Sequence, residues 1–471
     1  GRAESQRPHS NDLEVFYPTS VLITGRDIIF LWVSRMVMTG MKFMGEKPFD
    51  DVIIHGTVLD KNGQRMSKTK INGIDPLSVF EKYGVDATRM ALAGSATGID
   101  FAWRDERVES FRNFANKIWN ATRFCLMNSE GASIQSSPPC EGGVADASPD
   151  GVVLSAATTL ADRWIVSRLN KTAKAVNRAL ETYQFHEAVQ LLYHFFWDEF
   201  CDWYIELVKD EITSFDAEKN SPPVLGGVAA ASADGVVSEA RVVNPQSEAR
   251  GRILIVLEQA LRLLHPFMPF LTEELWLKLP GISNGLHNAA YASAEQTIML
   301  TTFPTGDDSL IDEQAESEMA AVIELITKVR NIRAEMNIKS GDQLSIHVAA
   351  DDVTRNVFAA NEAQIKKLAR ADKIVLADSL DVPKASARAV LTGNAEIAVP
   401  LEGLIDFDKE RARLRSQIEK LDVELQRLNA QLSNANFVGK APKDKVDELR
   451  DRQIEIDVQT KTLSSNLEAI K

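Results

Sequence analysis

The heptad seam near the C-terminus constrains the fold more tightly than any other feature of the chain. Leu414, Ile418, Leu421, Leu425, Leu428 and Leu432 fall at spacings of 4, 3, 4, 3 and 4. Such a stripe is buried only when one helix lies along another. SNANFVGKAP (433–442) interrupts it. Val446, Leu449, Ile456, Leu463, Leu467 and Ile470 then resume the stripe, with polar Gln453 and Thr460 at two seam positions. Two helices joined by so short a link predict an antiparallel coiled-coil hairpin.

That hairpin cannot account for a chain of 471 residues, which at about 150 residues per domain suggests roughly three domains. The N-terminal part reads as α/β. VLITG (21–25) and DVIIHG (51–56) are β-branched runs ending in Gly, as buried strands do. The apolar segment from Asp27 to Met44 between them predicts a helix, and DKNG (60–63) a tight turn. In DPLSVFEKYG (75–84), Asp75 suits an N-cap, Pro76 the first helical position and Gly84 the stop. Strand, helix, strand, loop, helix is the rhythm of a parallel sheet. Such a sheet is covered on both faces, and two strands do not complete one. The expectation is that the remainder is encoded upstream of Gly1.

From Phe101 to Trp119 the period becomes helical, and amphipathic segments follow at 160–183, 186–213, 250–266 and 270–279. They predict an α-helical bundle. HPFMPFLTEELW (265–276) breaks it with two prolines, and Thr272 falls near a fresh helix start. Two stretches interrupt the bundle, SPPCEGGVADASPDGVV (137–153) and SPPVLGGVAAASADGVV (221–237), identical at 13 of 17 positions. Their Pro, Gly, Ala and Ser content cannot fill a core and reads as duplicated surface-loop insertions. Residues 319–400 hold a helix and the strand-like pieces QLSIHVAA, KIVLA and EIAVPL, the makings of a small α/β module.

Composition excludes several classes. Cys125, Cys140 and Cys201 are far apart with no C-x-x-C, and the seven histidines are scattered. No disulfide framework and no structural metal is therefore expected. No apolar run has the length of a membrane span, and the N-terminus lacks the apolar core of a signal peptide. Net charge is −14, from 53 basic and 67 acidic residues, which argues against indiscriminate nucleic-acid binding. It leaves local basic clusters free to act.

One such cluster is NGQRMSKTKINGIDP (62–76). On charge alone Arg65, Lys68 and Lys70 read as a solvated loop. Their position changes that reading, because the loop lies between a buried strand and a helix start. In open α/β sheets this is the edge where ligands bind, and a helix N-terminus adds free N–H donors. Lysines there suit a polyphosphate whose charge shifts during reaction.

RMSKT (65–69) resembles the K-M-S-K-S signature of class I aminoacyl-tRNA synthetases. The segments at 16–40, 107–124, 195–209, 263–276 and 329–338 are similar to those of valyl-tRNA synthetases, as is the turn NFVGKAP (436–442) of the hairpin. The isoleucyl and leucyl relatives share the loop and the bundle but do not usually share the hairpin. An isoleucyl-type fragment and a non-catalytic tRNA-binding protein are the alternatives. No H-x-G-H, the other ATP signature of the class, occurs in the chain, and no editing domain is visible. The expectation is the C-terminal portion of such a synthetase, inactive in isolation.

The resemblance implies a multidomain fold. Residues 1–105 would be part of a Rossmann-like catalytic domain. Residues 106–305 would be an α-helical anticodon-binding bundle with inserts at 131–158 and 217–247. A small α/β module at 306–403 and a coiled-coil tRNA-binding arm at 404–471 complete the division. It also implies activation of valine by ATP, with Mg²⁺ as the substrate complex, and transfer to tRNA(Val) by a monomeric cytoplasmic enzyme without a membrane partner. Lys68 matches the second signature lysine and would contact the phosphates, with Arg65 in place of the first and Thr69 in place of the last serine. Met66 and Ser67 complete the ATP-binding loop. Ile71 stands where the family usually has Gly, which bears on how the loop closes. Gly25 and Asp27 match a motif lining the adenosine site, and Arg26 stands where His is usual. Trp32 reads equally as an amino-acid-pocket residue and as core packing. His55 reads as packing rather than as an ATP contact. The arm would meet tRNA through Lys409, Arg411, Arg413 and Arg415 at its base and Lys440, Lys443 and Lys445 at its turn.

Overall fold

The computed structural model describes residues 12–67, 69–129, 159–213, 245–281, 297–339, 341–383, 385–404, 407–433 and 443–469. Lys68, Cys140, Lys440, the insert 131–158 and the other insert as far as residue 244 lie outside the described residues, as do the side chains of Lys443 and Lys445. Two compact units are present, Gly1–Asp312 and Glu313–Lys471.

After a short helical turn at Asp12–Phe16, the first unit has strands β1 (Thr19–Gly25) and β2 (Phe49–His55), paired in parallel so that Thr19 faces Phe49 and Gly25 faces His55. The chain between them is less regular than its apolar pattern suggests. A 3-10 turn (Arg26–Ile28) leads into a π-helical turn (Ile29–Val33), and only then into helix α1 (Ser34–Phe43). π-turns recur at functional sites. Here the turn leaves Phe30 82% and Trp32 46% exposed.

A second parallel pair joins β3 (Val58–Leu59) to β4 (Phe101–Ala102). Phe101 is thus a strand residue, not the start of a helix. Its N–H bonds Thr57 O at 3.1 Å, and that of Trp103 bonds Leu59 O at 2.9 Å, so neither is available to a helix. Gly56, two residues before β3, lies against the backbone of Ile99, two residues before β4. A methyl group there would stand 1.9 Å from Ile99 O and 2.5 Å from its carbonyl carbon. Gly56→Ala should therefore cost about 3 kcal/mol, the upper end for overpacking. A denaturant midpoint equal to that of the parent chain would disprove this.

Helices α2 (Pro76–Tyr83) and α3 (Val85–Ala93) lie between β3 and β4, α2 being delimited by the cap residues legible in the sequence. Asp75 Oδ1 accepts from Leu77 N at 3.1 Å, and Gly84 takes φ 91° between the two helices. Val79, Tyr83, Ala87 and Ala91 pack with Val108 into one apolar cluster.

The bundle comprises α4 (Asp105–Met127), α5 (Leu160–Glu181), α6 (Phe185–His194), α7 (Ile205–Thr213), α8 (Pro245–Leu264) and α9 (Pro269–Trp276). The single helix expected over 186–213 widens into a π-helical stretch at Phe195–Tyr204, which spreads Phe196, Phe200 and Tyr204 along the buried face. Helix α8 takes in residues 245–247, which the sequence assigned to the second insert. A proline is tolerated in a first helical turn, so Pro245 is compatible with that helix start.

Two polar links matter in this unit. Asp162 is fully buried and pairs with Arg252 Nη2 at 2.9 Å. Asp86, from α3, accepts from Leu271 N at 2.6 Å and Phe270 N at 3.3 Å in the first turn of α9. Cys125 and Cys201 are buried free thiols, and burial pushes both pKa values up, which makes them inert.

In the second unit, helix α10 (Glu313–Glu335) leads to a four-stranded sheet of order β6-β5-β8-β7. Strand β5 (Leu344–Ala349) runs parallel to β6 (Ala371–Ala377) and antiparallel to β8 (Glu396–Pro400), which pairs antiparallel with β7 (Ser386–Val390). Helices α11 (Asp352–Ala360) and α12 (Glu362–Ala369) connect β5 to β6. The unit ends in α13 (Phe407–Ser433) and α14 (Lys443–Ala469). Leu414, Leu428 and Ile456 of the seam are buried, and polar Gln453 meets Asn429, its Nε2 donating at 2.7 Å. Among the described residues no helix is long and apolar enough to cross a membrane.

Candidate active-site loop

The loop Asp60–Asn72 is closed at its base by two side chains. Asp60 Oδ1 accepts from Asn62 N at 2.9 Å and Gln64 N at 2.8 Å, and Asp60 Oδ2 accepts from Asn72 Nδ2 at 2.8 Å. The Asn72 hydrogen bond, followed by that of Gln64, holds the Asp60 carboxyl below its ordinary pKa. Asn72 Oδ1 in turn accepts from Ser67 N at 2.9 Å. Ser67 Oγ accepts from Lys70 N, and Lys70 Nζ reaches Gln64 Oε1, both at 3.2 Å. Ser67 and Lys70 are thus tied to the loop base.

Ile71 adopts φ 51° and is 91% exposed. This left-handed conformation costs an L-residue about 1–2 kcal/mol, whereas glycine adopts it freely. The sequence flagged Ile71 as occupying a glycine position, and the backbone supplies the physical reason for glycine there. Ile71→Gly should stabilise the closed loop by about 1 kcal/mol after the entropy cost of glycine. Slower amide exchange at Ser67 and Lys70 would register the gain, and faster exchange at both would contradict it.

The loop reaches the end of β1 through one ion pair, from Arg65 Nη2 to Asp27 Oδ2. A second pair joins Arg26 to Asp100. Asp100 also accepts from Thr57 N at 2.7 Å, and this bond, with Arg26 adding to it, lowers its pKa. Gly25 lies opposite His55, whose ring carbon Cε1 would stand 3.6 Å from a methyl on Gly25, and His55 Nδ1 lies 2.9 Å from Gly56 O. Gly25, Asp27 and Arg65 are therefore grouped at the carboxyl edge of the parallel strands, with Trp32 half-exposed in the π-turn that follows. Met66 is half-buried, and Thr69 is exposed in the turn. A cavity of about 910 Å³ opens beneath the loop base, lined by Asp60, Asn72, Lys82, Tyr83 and Trp103 among others; none of Gly25, Asp27 or Trp32 lines it.

Asp60, Asn72 and Asp100 carry much of this geometry and escaped the sequence reading. Asp60 was visible only as a turn residue and Asn72 only as a neighbour of Ile71. Nothing local marks Asp100. At the base of the hairpin, Lys409 and Arg415 are exposed, and Arg411 pairs with Asp408 at 2.6 Å. Arg413 Nη2 reaches Glu335 O at 3.4 Å.

A basic loop beside the carboxyl ends of parallel strands, followed by a helical bundle, is the arrangement of a class I tRNA synthetase. Residues 2–104 match the profile of tRNA synthetases class I (I, L, M and V). Residues 162–233 and 235–348 match the anticodon-binding domain of tRNA ligase, and 406–471 the valyl tRNA synthetase tRNA binding arm. The chain is 40% identical over 461 residues to the valine--tRNA ligase of Syntrophotalea carbinolica, covering 97% of this chain and 46% of that protein. It is 39% identical to that of Geobacter sulfurreducens, covering 98% of this chain and 46% of the relative, and 38% identical to that of Bacillus subtilis, covering 94% and 44%. The chain belongs to the valyl-tRNA synthetase family and spans about half the length of these relatives.

Proposed function

We propose that this chain supplies the signature loop and tRNA-binding regions of a valine--tRNA ligase, which activates valine with ATP and transfers it to tRNA(Val). The observation that best supports this is the Arg65–Asp27 pair, which joins two motif segments 38 positions apart at one sheet edge. The donors there suit a nucleotide. Asp27 is a half-exposed carboxylate able to accept ribose hydroxyls. Ser67 and Thr69 offer hydroxyls, Gly25 and Met66 border the site, and Lys68 would meet the phosphates. Mg²⁺ would arrive with ATP as its substrate complex, offsetting phosphate charge. Trp32 would face the amino acid. Ribose and Arg65 draw on the same carboxylate, so bound nucleotide and the Arg65 contact compete. Valine-dependent exchange of pyrophosphate into ATP by the complete protein, lost in Asp27→Ala, is the test. Exchange driven by isoleucine and not by valine would overturn the assignment.

The same reading divides the chain into catalytic (1–105), anticodon-binding (106–305), small α/β (306–403) and arm (404–471) regions. Residues 406–471 carry 13 basic and 13 acidic side chains, so the arm acts through local clusters rather than net charge. Phosphate contacts make affinity salt-dependent, while unpaired bases are read by stacking and edge contacts. Deleting 406–471 should weaken tRNA binding and flatten its salt dependence while leaving anticodon discrimination intact. Titrations with valine tRNA and an anticodon-swapped version at several salt concentrations measure both. An unchanged salt slope would make the arm structural.

A further inference from the structure

One carboxamide gathers the signature loop. Asn72 Nδ2 donates to Asp60 Oδ2 at 2.8 Å and to Arg65 O at 3.3 Å, while its Oδ1 accepts from Ser67 N at 2.9 Å. An asparagine side chain carries both donors and an acceptor, and here both kinds are used. Asp60 is equally committed. It is 8% exposed, and its other oxygen accepts from Asn62 N and Gln64 N. An ionised carboxylate only accepts, so the pair has a fixed polarity in which Asn72 donates and Asp60 receives.

Packing does not explain the pair. Asp60 and Asn72 both border the cavity of about 910 Å³. Ile71 is 91% exposed, so its side chain gains little burial in return for a left-handed backbone at φ 51°. Strain kept at one residue directs attention to what it makes possible. Asn72 follows directly, and its hydrogen bonds offset the strain.

Those bonds fall on the segment that reaches the sheet edge. Arg65 O accepts from Asn72 while the Arg65 side chain pairs with Asp27 at the end of β1. Ser67 N is held by the same carboxamide. The backbone on both sides of Met66 is thus fixed from one side chain.

We propose that Asn72 is a positioning residue for the reaction at this loop: seated on Asp60, it sets the backbone of residues 65–67 in the geometry that serves adenylate formation, and it touches no substrate. The proposal rests on the valine-activation reading above. Misplacing a group that acts in the transition state lowers turnover more than it weakens ground-state binding.

Reversing the polarity of the pair tests it. Asn72→Asp sets two carboxylates against each other, and Asp60→Asn leaves one amide donor facing another. Each should lower kcat for valine-dependent pyrophosphate exchange by the complete protein about tenfold, the low end for a hydrogen bond to a charged group, with the KM for valine nearly unchanged. Together they restore one donor and one acceptor. The double variant should therefore recover to within about threefold of the parent, the remainder reflecting the lost contact to Arg65 O. Losses that simply add in the double variant, or an unchanged kcat in both single variants, would overturn the proposal. Amide exchange at Ser67 in this chain reads the clamp without any activity. Protection should fall in each single variant and return in the double. If it does so while the complete parent protein shows no exchange with valine, the clamp stands and the valine reading falls. Protection at Ser67 that is indifferent to both substitutions would sink the clamp itself.

Discussion

Asp162→Ala should destabilise the first unit by about 3–5 kcal/mol, the usual range for removing one partner of a buried ion pair. Asp162 is 0% exposed, and its carboxylate meets Arg252 Nη2 at 2.9 Å, Tyr204 Oη at 2.9 Å and Thr159 Oγ1 at 2.7 Å. Its own N–H returns a 3.2 Å bond to Thr159, the N-cap of α5. Alanine therefore removes a countercharge, a hydroxyl acceptor and half of a reciprocal cap together. Burial, with the Asp162 carboxylate adding to it, raises the Tyr204 pKa well above the ordinary phenol value, so the hydroxyl stays protonated and donates. Asp162→Asn keeps the shape and should cost less. Chemical unfolding of the three chains measures the difference, and a loss below about 1 kcal/mol for alanine would show that the pair is dispensable.

Lys68→Ala should slow adenylate formation in the complete enzyme about a hundredfold, roughly 3 kcal/mol, while leaving valine affinity nearly unchanged. The argument comes from the neighbours. Ser67 N is fixed by Asn72, and the Lys70 amide by Ser67 Oγ. Position 68 is thus carried by a loop whose base is anchored. A charge placed against phosphates during reaction lowers the barrier more than it strengthens ground-state binding. Pre-steady-state activation kinetics separate the two effects. A change confined to the Michaelis constant for valine would contradict the role.

What the sequence disclosed and what it concealed divide along physical lines. Features set by neighbours in the chain were legible: Asp75, Pro76 and Gly84 delimit α2, and β-branched runs form β1 and β2. Leu414, Leu428 and Ile456 fall on the buried seam of their helices. Features set by distant partners were not. Phe101 looks helical until Leu59 and Thr57 claim the backbone around it. SARAV (386–390) has little apolar alternation, and becomes a strand because β8 offers its edge. In the loop, the motif picks out Arg65 and Asp27 separately, but their contact depends on a crossover that folds the chain back. Asp60 and Asn72 were hidden because a turn residue and a clamp residue look alike in one dimension.

The carboxylate of Asp86 caps a helix 184 positions further along the chain, and Arg89 Nη2 donates to Pro266 O at 3.0 Å beside it. The link has a calorimetric consequence. The short helices behind the signature loop and the bundle cannot melt separately without stripping the first turn of α9 of its acceptor. Residues 12–312 should therefore give one heat-absorption peak rather than two. A protease that nicks the chain between these parts should release neither piece until that shared transition is reached.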